Sequence, residues 1–284
     1  MEESTRRAVH RAITAMRENL GEQLTVDDMA RVAMFSKFHF TRIFQRATGI
    51  PPGRFLSALR LQRAKHLLVS TTLNVADISF RVGYNSVGTF SSRFTRSIGM
   101  SPTTYRRRAG FAPHIPTAAG PGHAAPSTAR VHGRFSTRAG APVGPVFVGL
   151  FPDRIPEGRP VRCAVLSHGG GYEFEAVPPG TWHLLAQAVS GGADGAGSPT
   201  DATNRGVVVA SHGPLTVRRD SDIRLDLYFQ PIRDIDPPVL LALLDSRKLA
   251  MSRVAAEAQP TGALATVPAR NALNQLCESG RSAA

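Results

Sequence analysis

The sequence predicts a multidomain α plus β chain, an all-α double helix-turn-helix domain followed by an antiparallel β-sandwich. Three observations carry that prediction. The first is charge: 34 Lys and Arg against 21 Asp and Glu give a net +13 over 284 residues. Of this, +11 lies in residues 1–110 (18 basic, 7 acidic), whereas residues 140–245 are net −4 (8 basic, 12 acidic). The second is a run of short amphipathic helical patterns with tight turns over residues 5–109. The third is a change, from Pro145, to short β-prone runs separated by Gly and Pro. A chain of this length accommodates one large or two ordinary domains. A basic unit joined to a mildly acidic one predicts an anionic partner for the first part only.

The helical part reads element by element. A first helix runs from about Thr5 to Leu20 and stops near Gly21. Thr25 followed by Asp28 approximates a capping box for Asp27–Ala33. Ser36 can cap a helix through about Ala47 that ends at Gly49. In that helix Phe40, Ile43, Phe44 and Ala47 share one face, while Lys37, Phe38, Thr41, Arg42 and Gln45 share another. A long helix from about Gly53 to Ser70 follows, with Phe55, Leu59, Leu67 and Leu68 as apolar positions. The arrangement then repeats. Val75–Val82 is a short helix, Gly83-Tyr84 a turn, and Ser86–Ile98 a longer helix with Phe90 and Phe94 inward, ending at Gly99. Pro102 starts a last short helix carrying Tyr105 and Arg106–Arg108.

These residues carry a resemblance. The run Ile78-Ser79-Phe80-Arg81-Val82-Gly83-Tyr84-Asn85-Ser86, then Phe90, Arg93-Phe94, Gly99, Ser101-Pro102 and Tyr105-Arg106, resembles the signature of the AraC/XylS family of bacterial transcription regulators. Arg60-Leu61-Gln62-Arg63-Ala64 with Leu67-Leu68 is similar to the family's linker helix. Ser36-Lys37-Phe38-His39-Phe40 with Arg42, Phe44 and Thr48-Gly49 is similar to its first recognition helix. The resemblance covers about the first 110 residues. It implies binding to double-stranded promoter DNA and, as in most members, activation by recruiting RNA polymerase. Many members place a sensor domain before the DNA-binding unit; here the order is reversed, so the usual jelly-roll sugar pocket is not implied.

Physical chemistry supports DNA binding independently. A helix fits the major groove, where base edges are distinguishable. Two such helices on one rigid linker can enter successive grooves about 34–36 Å apart. On the first recognition helix Arg42 is expected to read guanine, with Thr41 and Gln45 touching bases or phosphates and Lys37 and Arg46 alongside. Phe38 is expected on thymine methyls, because Phe40 and Phe44 already serve the core. The second helix offers Val87, Gly88, Thr89, Ser91 and Ser92 on its DNA side, with Ser86 at its start also expected to touch DNA. Arg93 and Arg96 there either reach phosphates or form a solvated charged face. It has no early Asn, Gln or Arg for bidentate base contacts, so the second groove should be read weakly.

The boundaries predicted are residues 1–110 for the DNA-binding domain, 111–144 for a flexible linker, 145–250 for the sandwich with a C-terminal helix, and 251–284 for a disordered tail. The linker reading rests on composition: from Gly110 to Pro145, 12 of 36 residues are Gly or Pro, too few of the rest being large and apolar to offset ordering. Strands are expected at Val146–Phe151, Val161–Ser167, Tyr172–Val177, Trp182–Val189, Val207–Ser211 and Ile223–Phe229. Turns are expected at Gly169-Gly170-Gly171, Pro178-Pro179-Gly180 and Gly213-Pro214. The segment Tyr172–Leu184 resembles the turn of transthyretin-like, carboxypeptidase-regulatory-type sandwiches. Pro237-Pro238 then predicts a helix, Val239–Arg247, docking through Leu240, Leu243 and Leu244.

Enzyme chemistry is not predicted. His168-Gly169-Gly170-Gly171 is similar to an esterase oxyanion loop, but no G-x-S-x-G nucleophile exists. His168, His183 and His212 lack metal-ligand spacing. Cys163 sits in a buried-strand context, unlike the reactive Pro-Cys-His-Arg cysteine of alkylation-response methyltransferases that share this type of DNA-binding unit. No catalytic residue, metal or cofactor is therefore expected. Two unrelated cysteines, no apolar run near a membrane span of about 20 residues, and an acidic, polar start predict a cytoplasmic protein with no membrane partner. The acidic domain is expected to sense a small-molecule effector or to act in protein interaction; a ligand-independent homodimer is the alternative, and an enzyme domain, which the missing constellations argue against, a third. If four to six phosphates are neutralised, log affinity for DNA should fall against log salt with a slope of roughly −4 to −5, measured by a salt titration of binding.

Overall fold

The computed structural model describes residues 3–112, 127–137, 143–166, 170–190, 207–240 and 243–244. The chain divides into two compact units. One takes in Met1–Gly110, Asp153–Gly158 and Ile232–Ala242; the other holds Phe111–Pro152, Arg159–Pro231 and Leu243–Ala284.

Among the described residues the first unit holds seven helices: α1 Glu3–Glu18, α2 Val26–Ala33, α3 Lys37–Thr48, α4 Pro52–Ser70, α5 Val75–Arg81, α6 Val87–Ile98 and α7 Pro102–Arg107. Each forms for a local reason. α1 buries Ala8, Val9, Ala12, Ile13 and Met16, one stripe at helical spacing. The capping box of α2 is complete, since the Thr25 hydroxyl accepts from Asp28 N–H at 3.2 Å and Asp28 accepts from Thr25 N–H at 3.0 Å. Those hydrogen bonds from Thr25, with help from Arg31, hold the Asp28 carboxyl below its usual pKa. Asn74 caps α5 through Asp77 N–H at 2.8 Å. Ser36 stands at the N-cap of α3, but its side chain makes no capping hydrogen bond. Pro52 and Pro102 open α4 and α7, where their missing N–H groups are not needed.

The unit is an internal repeat with an offset of fifty residues. Phe40, Phe44 and Phe55 form one chain of ring contacts, with centroids 5.4 Å apart at each step. Phe90, Phe94 and Tyr105 form its counterpart at 5.6 and 5.5 Å. The left-handed stops Gly49 and Gly99 follow the same offset. Between the halves, α4 buries Phe55, Leu56, Ala58, Leu59, Leu61, Ala64, Leu67 and Leu68, residues spread around its circumference. A helix that buries residues around most of its circumference needs cover on several sides. Part of that cover comes from far along the chain, where Lys65 of α4 donates to the Val239 carbonyl at 3.2 Å. Removal from water lowers the Lys65 ammonium pKa to about 8.

The second unit is β-rich. Its strands are β1 Phe111–Ala112, β2 Arg130–Ser136, β3 Val143–Phe151, β4 Arg162–Leu166, β5 Gly171–Phe174, β6 Gly180–Ser190, β7 Val207–Val217, β8 Asp222–Arg224, β9 Leu227–Tyr228, β10 Gln230–Pro231 and β11 Leu243–Leu244. Five form an antiparallel sheet in the order β10-β7-β6-β3-β4. A second sheet runs β5-β2-β8, with β9 also on β2. One apolar core draws on both: Val146, Val148, Leu150, Leu184 and Ala186 from the first, Val131, Tyr172 and Phe174 from the second. The Trp182 indole closes the Pro178-Pro179-Gly180 turn by donating to the Pro178 carbonyl at 2.8 Å.

Four expectations are corrected here. Residues 127–137, expected within a linker, include β2, whose Val131 and Gly133 are buried in the second sheet. That sheet is not purely antiparallel, for β8 and β9 run parallel to β2. They reach it after a long connection, which removes the hairpin constraint that enforces antiparallel pairing. Gly213-Pro214 lies inside β7, not at a turn, opposite a register shift in β6 between Trp182 and Leu184. No helix follows Pro237-Pro238 among the described residues. Leu240 is fully buried in the first unit with its N–H on the Pro156 carbonyl at 3.3 Å, and Leu243–Leu244 pairs with β1. Most of the linker reading (residues 113–126 and 138–142), the His168 loop and the tail after Met251 lie outside the described residues.

Gly133 packs so tightly that a Cβ would fall 1.8 Å from the Leu225 carbonyl oxygen, a main-chain atom that cannot swing away. Gly133→Ala should therefore part β2 from the 222–228 segment and cost about 3 kcal/mol or more. Unfolding monitored by Trp182, the single tryptophan of the chain, should show a midpoint lowered by roughly 10 °C.

Candidate nucleic-acid interface

The two helix-turn-helix motifs are α2–α3 and α5–α6, and their outward faces are set by what each helix buries. α3 buries Phe40, Ile43, Phe44 and Thr48, which turns Lys37, Phe38, His39, Arg42, Gln45 and Arg46 outward. Phe38 is 84% exposed, so the ring has no place in the core. One exposed phenyl group is ordinary on a protein surface; this one stands on the same open face as Arg42 and Gln45. Thr41 is half-buried and its hydroxyl bonds back to the Lys37 carbonyl at 2.8 Å. Lys37 reaches Asp27 at 2.7 Å, a largely exposed pair worth little in itself. His39, passed over in the sequence, is exposed with its ring edge-on to Phe35 at 4.8 Å.

α6 buries Phe90, Phe94, Ser97 and Ile98, leaving Gly88, Thr89, Ser92, Thr95 and Arg96 exposed and Val87 partly so. Ser86 is exposed and caps the helix through Thr89 N–H at 3.4 Å. Arg93 lies on another side, half-buried, with its guanidinium 4.0 Å from the Glu157 carboxylate. The fifty-residue offset lets the two helices be compared position by position. Lys37, Phe38, Arg42 and Gln45 on α3 become Val87, Gly88, Ser92 and Thr95 on α6, and only Arg46 keeps its counterpart in Arg96. The two surfaces share a shape and differ in chemistry.

The motifs are locked to one another through Arg60 of α4. Its Nε donates to the Leu20 carbonyl at 3.0 Å and its Nη2 to the Glu22 carbonyl. Gly83, at the turn of the second motif, lies against the same guanidinium with φ +83°. Gln23 extends the lock by donating to the Asn85 side-chain oxygen at 2.8 Å. Burial lowers the Arg60 pKa, opposed only by the nearby Tyr84. The sequence offered Arg60 and Gly83 as separate pattern positions, and nothing in their spacing revealed that they meet.

Among the described residues no three His, Cys, Asp or Glu side chains come together as a metal site. Cys163 is buried on β4 and His183 is half-buried on β6, with His212 exposed on β7. No helix among the described residues is long and apolar enough to cross a membrane.

A family comparison matches this helical region. Residues 29–108 match the model of a helix-turn-helix domain family. The transcriptional activator AarP of Providencia stuartii is 34% identical over 88 residues, 31% of this chain and 65% of AarP. The RCS-specific transcriptional activator RclR of Escherichia coli is 36% identical over 96 residues, 34% of each chain. This chain thus spans less than two thirds of the curated relatives it matches. Among solved structures, the DNA-binding domain of AdpA in complex with a target DNA is 30% identical, covering 35% of this chain and 90% of that one at a TM-score of 0.34. An AraC-type DNA-binding-domain protein of Chromobacterium violaceum is 27% identical, covering 38% and 96% at 0.36.

The lock at Gly83 is open to direct test. A Cβ there would lie 2.4 Å from the Leu20 carbonyl oxygen and 2.7 Å from the Arg60 guanidinium, at a left-handed φ. Gly83→Ala should destabilise the helical unit by about 2–4 kcal/mol, seen as an earlier loss of helical circular dichroism on heating.

Proposed function

We propose, from the helix-turn-helix match over residues 29–108 and its likeness to AraC-type DNA-binding domains, that the chain is a sequence-specific regulator of transcription that binds double-stranded promoter DNA. One observation carries the reading. Phe38, Arg42, Gln45 and Arg46 stand together on the open face of α3, a helix whose opposite side is anchored in the core. A guanidinium can grip guanine O6 and N7, an amide can pair with adenine, and an exposed ring can lie on a thymine methyl. α6 offers small side chains and Arg96, suited to backbone and shape rather than to base edges.

Activation through RNA polymerase is the sense of regulation we favour, because relatives such as AarP and RclR bear the name of activators. The β unit is read as a two-layer sandwich with a regulatory rather than an enzymatic role, sensing a small-molecule effector or pairing with a second chain. Thermal stabilisation by a ligand would support sensing, and mass that rises with concentration in its absence would support a homodimer.

Sequencing the DNA fragments retained by the intact protein tests the proposal. The expected motif has sharp base preferences in the half read by α3 and diffuse ones in the half read by α6. Arg42→Ala should weaken binding by roughly tenfold to a hundredfold and relax one guanine preference, and Phe38→Ala should relax a thymine preference. Sharp preferences in both halves would refute the division of labour, and no enrichment at all would refute the function.

A further inference from the structure

Six residues between β3 and β4, Asp153–Gly158, belong to the helical unit rather than to the β unit. Their contacts there are specific. Asp153 pairs with Arg54 at the start of α4, and Glu157 Oε1 accepts from the same guanidinium at 2.9 Å. Glu157 Oε2 accepts from the Ser97 hydroxyl on α6 at 2.7 Å, and Gly158 N–H donates to the Ser97 carbonyl at 2.8 Å. Arg93, one turn earlier on α6, stands 4.0 Å from Glu157 Oε1. At the other recognition helix, the Arg154 side chain covers Gly49, the stop of α3, closely enough that a Cβ there would lie 2.4 Å from its Cδ. Ile155 is buried, and the Pro156 carbonyl receives the Leu240 N–H. The strap therefore touches the C-terminal ends of both recognition helices and the N-terminus of the helix between them.

Within it Glu157 has the central place. Ser97 is fully buried, so its hydroxyl must be satisfied inside the fold, and the hydrogen bond to Glu157 does so. The carboxylate is only 18% exposed and answers two guanidinium groups, Arg54 from α4 and Arg93 from α6. For Arg54, burial opposes the charge, but Asp153 and then Glu157 outweigh it and raise the pKa. A half-buried carboxylate between two helices fixes their relative rotation, because turning either one leaves a charge or a hydroxyl without its partner.

We propose that Glu157 is a positioning residue for DNA reading, setting the orientation of α6 against α4 from a loop whose two ends run into β3 and β4. The proposal rests on the DNA-reading function of α3 and α6.

The test compares the full-length wild type with Glu157→Ala and Glu157→Gln. In free protein, amide hydrogen exchange at the last turn of α6 should quicken about tenfold in Glu157→Ala, with β6 and β7 unaffected. Glu157→Gln keeps an acceptor for Ser97 and should fall between. On the selected DNA site, Glu157→Ala should bind about tenfold more weakly, with footprint loss confined to the half that Arg96→Ala also weakens. Unchanged α6 exchange, or equal loss of both half-sites, would overturn the proposal. If Glu157→Ala does not give a cooperative melt, Glu157→Gln decides on the same readouts. A wild type that protects no DNA would refute the function itself, while the exchange experiment would still settle whether Glu157 holds α6.

Discussion

Arg60 is the constraint on which the helical unit depends. A guanidinium must hydrogen-bond when it leaves water, and this one meets main-chain carbonyls of the α1–α2 connection, not a carboxylate. Backbone acceptors cannot swing aside, so α4 is fixed against the entry of the first motif. The turn of the second motif lies on the same group at Gly83, where no side chain would fit. One cation thus ties the first motif, the linker helix and the second motif together. Two recognition helices on one chain can read two grooves only if their spacing is set, a task that symmetric dimers accomplish through their interface.

That frame explains why the internal repeat has diverged on its surface and not inside. Phe40, Phe44 and Phe55 and their counterparts Phe90, Phe94 and Tyr105 do the same packing work, so volume and ring geometry restrict them. Positions facing outward carry no such restriction. There Phe38 stands against Gly88 and Arg42 against Ser92, pairs with almost no chemistry in common.

The helical elements were legible in the sequence because each is written locally. The Thr25–Asp28 capping box, the prolines opening α4 and α7, the glycines closing α3 and α6 and the aromatic spacing all lie within a few residues of what they control. The exposure of Phe38 followed from the same logic, since Phe40 and Phe44 left the core no room. What escaped was non-local. β2 alternates Val131, Gly133 and Phe135 on one side, a strand pattern, yet it sits in a stretch whose Gly and Pro content argued for a linker. Its place is decided by Leu225 and Tyr172, which meet it only in the fold. The leucines after Pro238 show the converse: helical spacing was present, but among the described residues Leu240 is buried in the first unit and Leu243–Leu244 pairs as a strand. Lys65, Val239, Glu157 and Ser97 make contacts across 60 to 174 positions of chain, beyond any periodicity.

The same non-local contacts revise the meaning of the charge division. Counted along the chain, the acids of residues 140–245 belong to a net-negative half. In the fold, Asp153, Glu157, Asp234 and Asp236 are part of the basic unit, and Arg54 and Arg17 pair with three of them. These acids neutralise cations on α1 and α4 and, at the C-terminal end of α6, face Arg93. Arg42, Arg46 and Arg96 remain exposed, without an ion pair among the described residues. On the proposed function, a surface that attracts phosphate gains from having its positive field concentrated on the open faces of α3 and α6, because charge elsewhere attracts DNA in unproductive orientations. The acids of residues 153–158 and 232–242 therefore sharpen the basicity of the first unit by confining it.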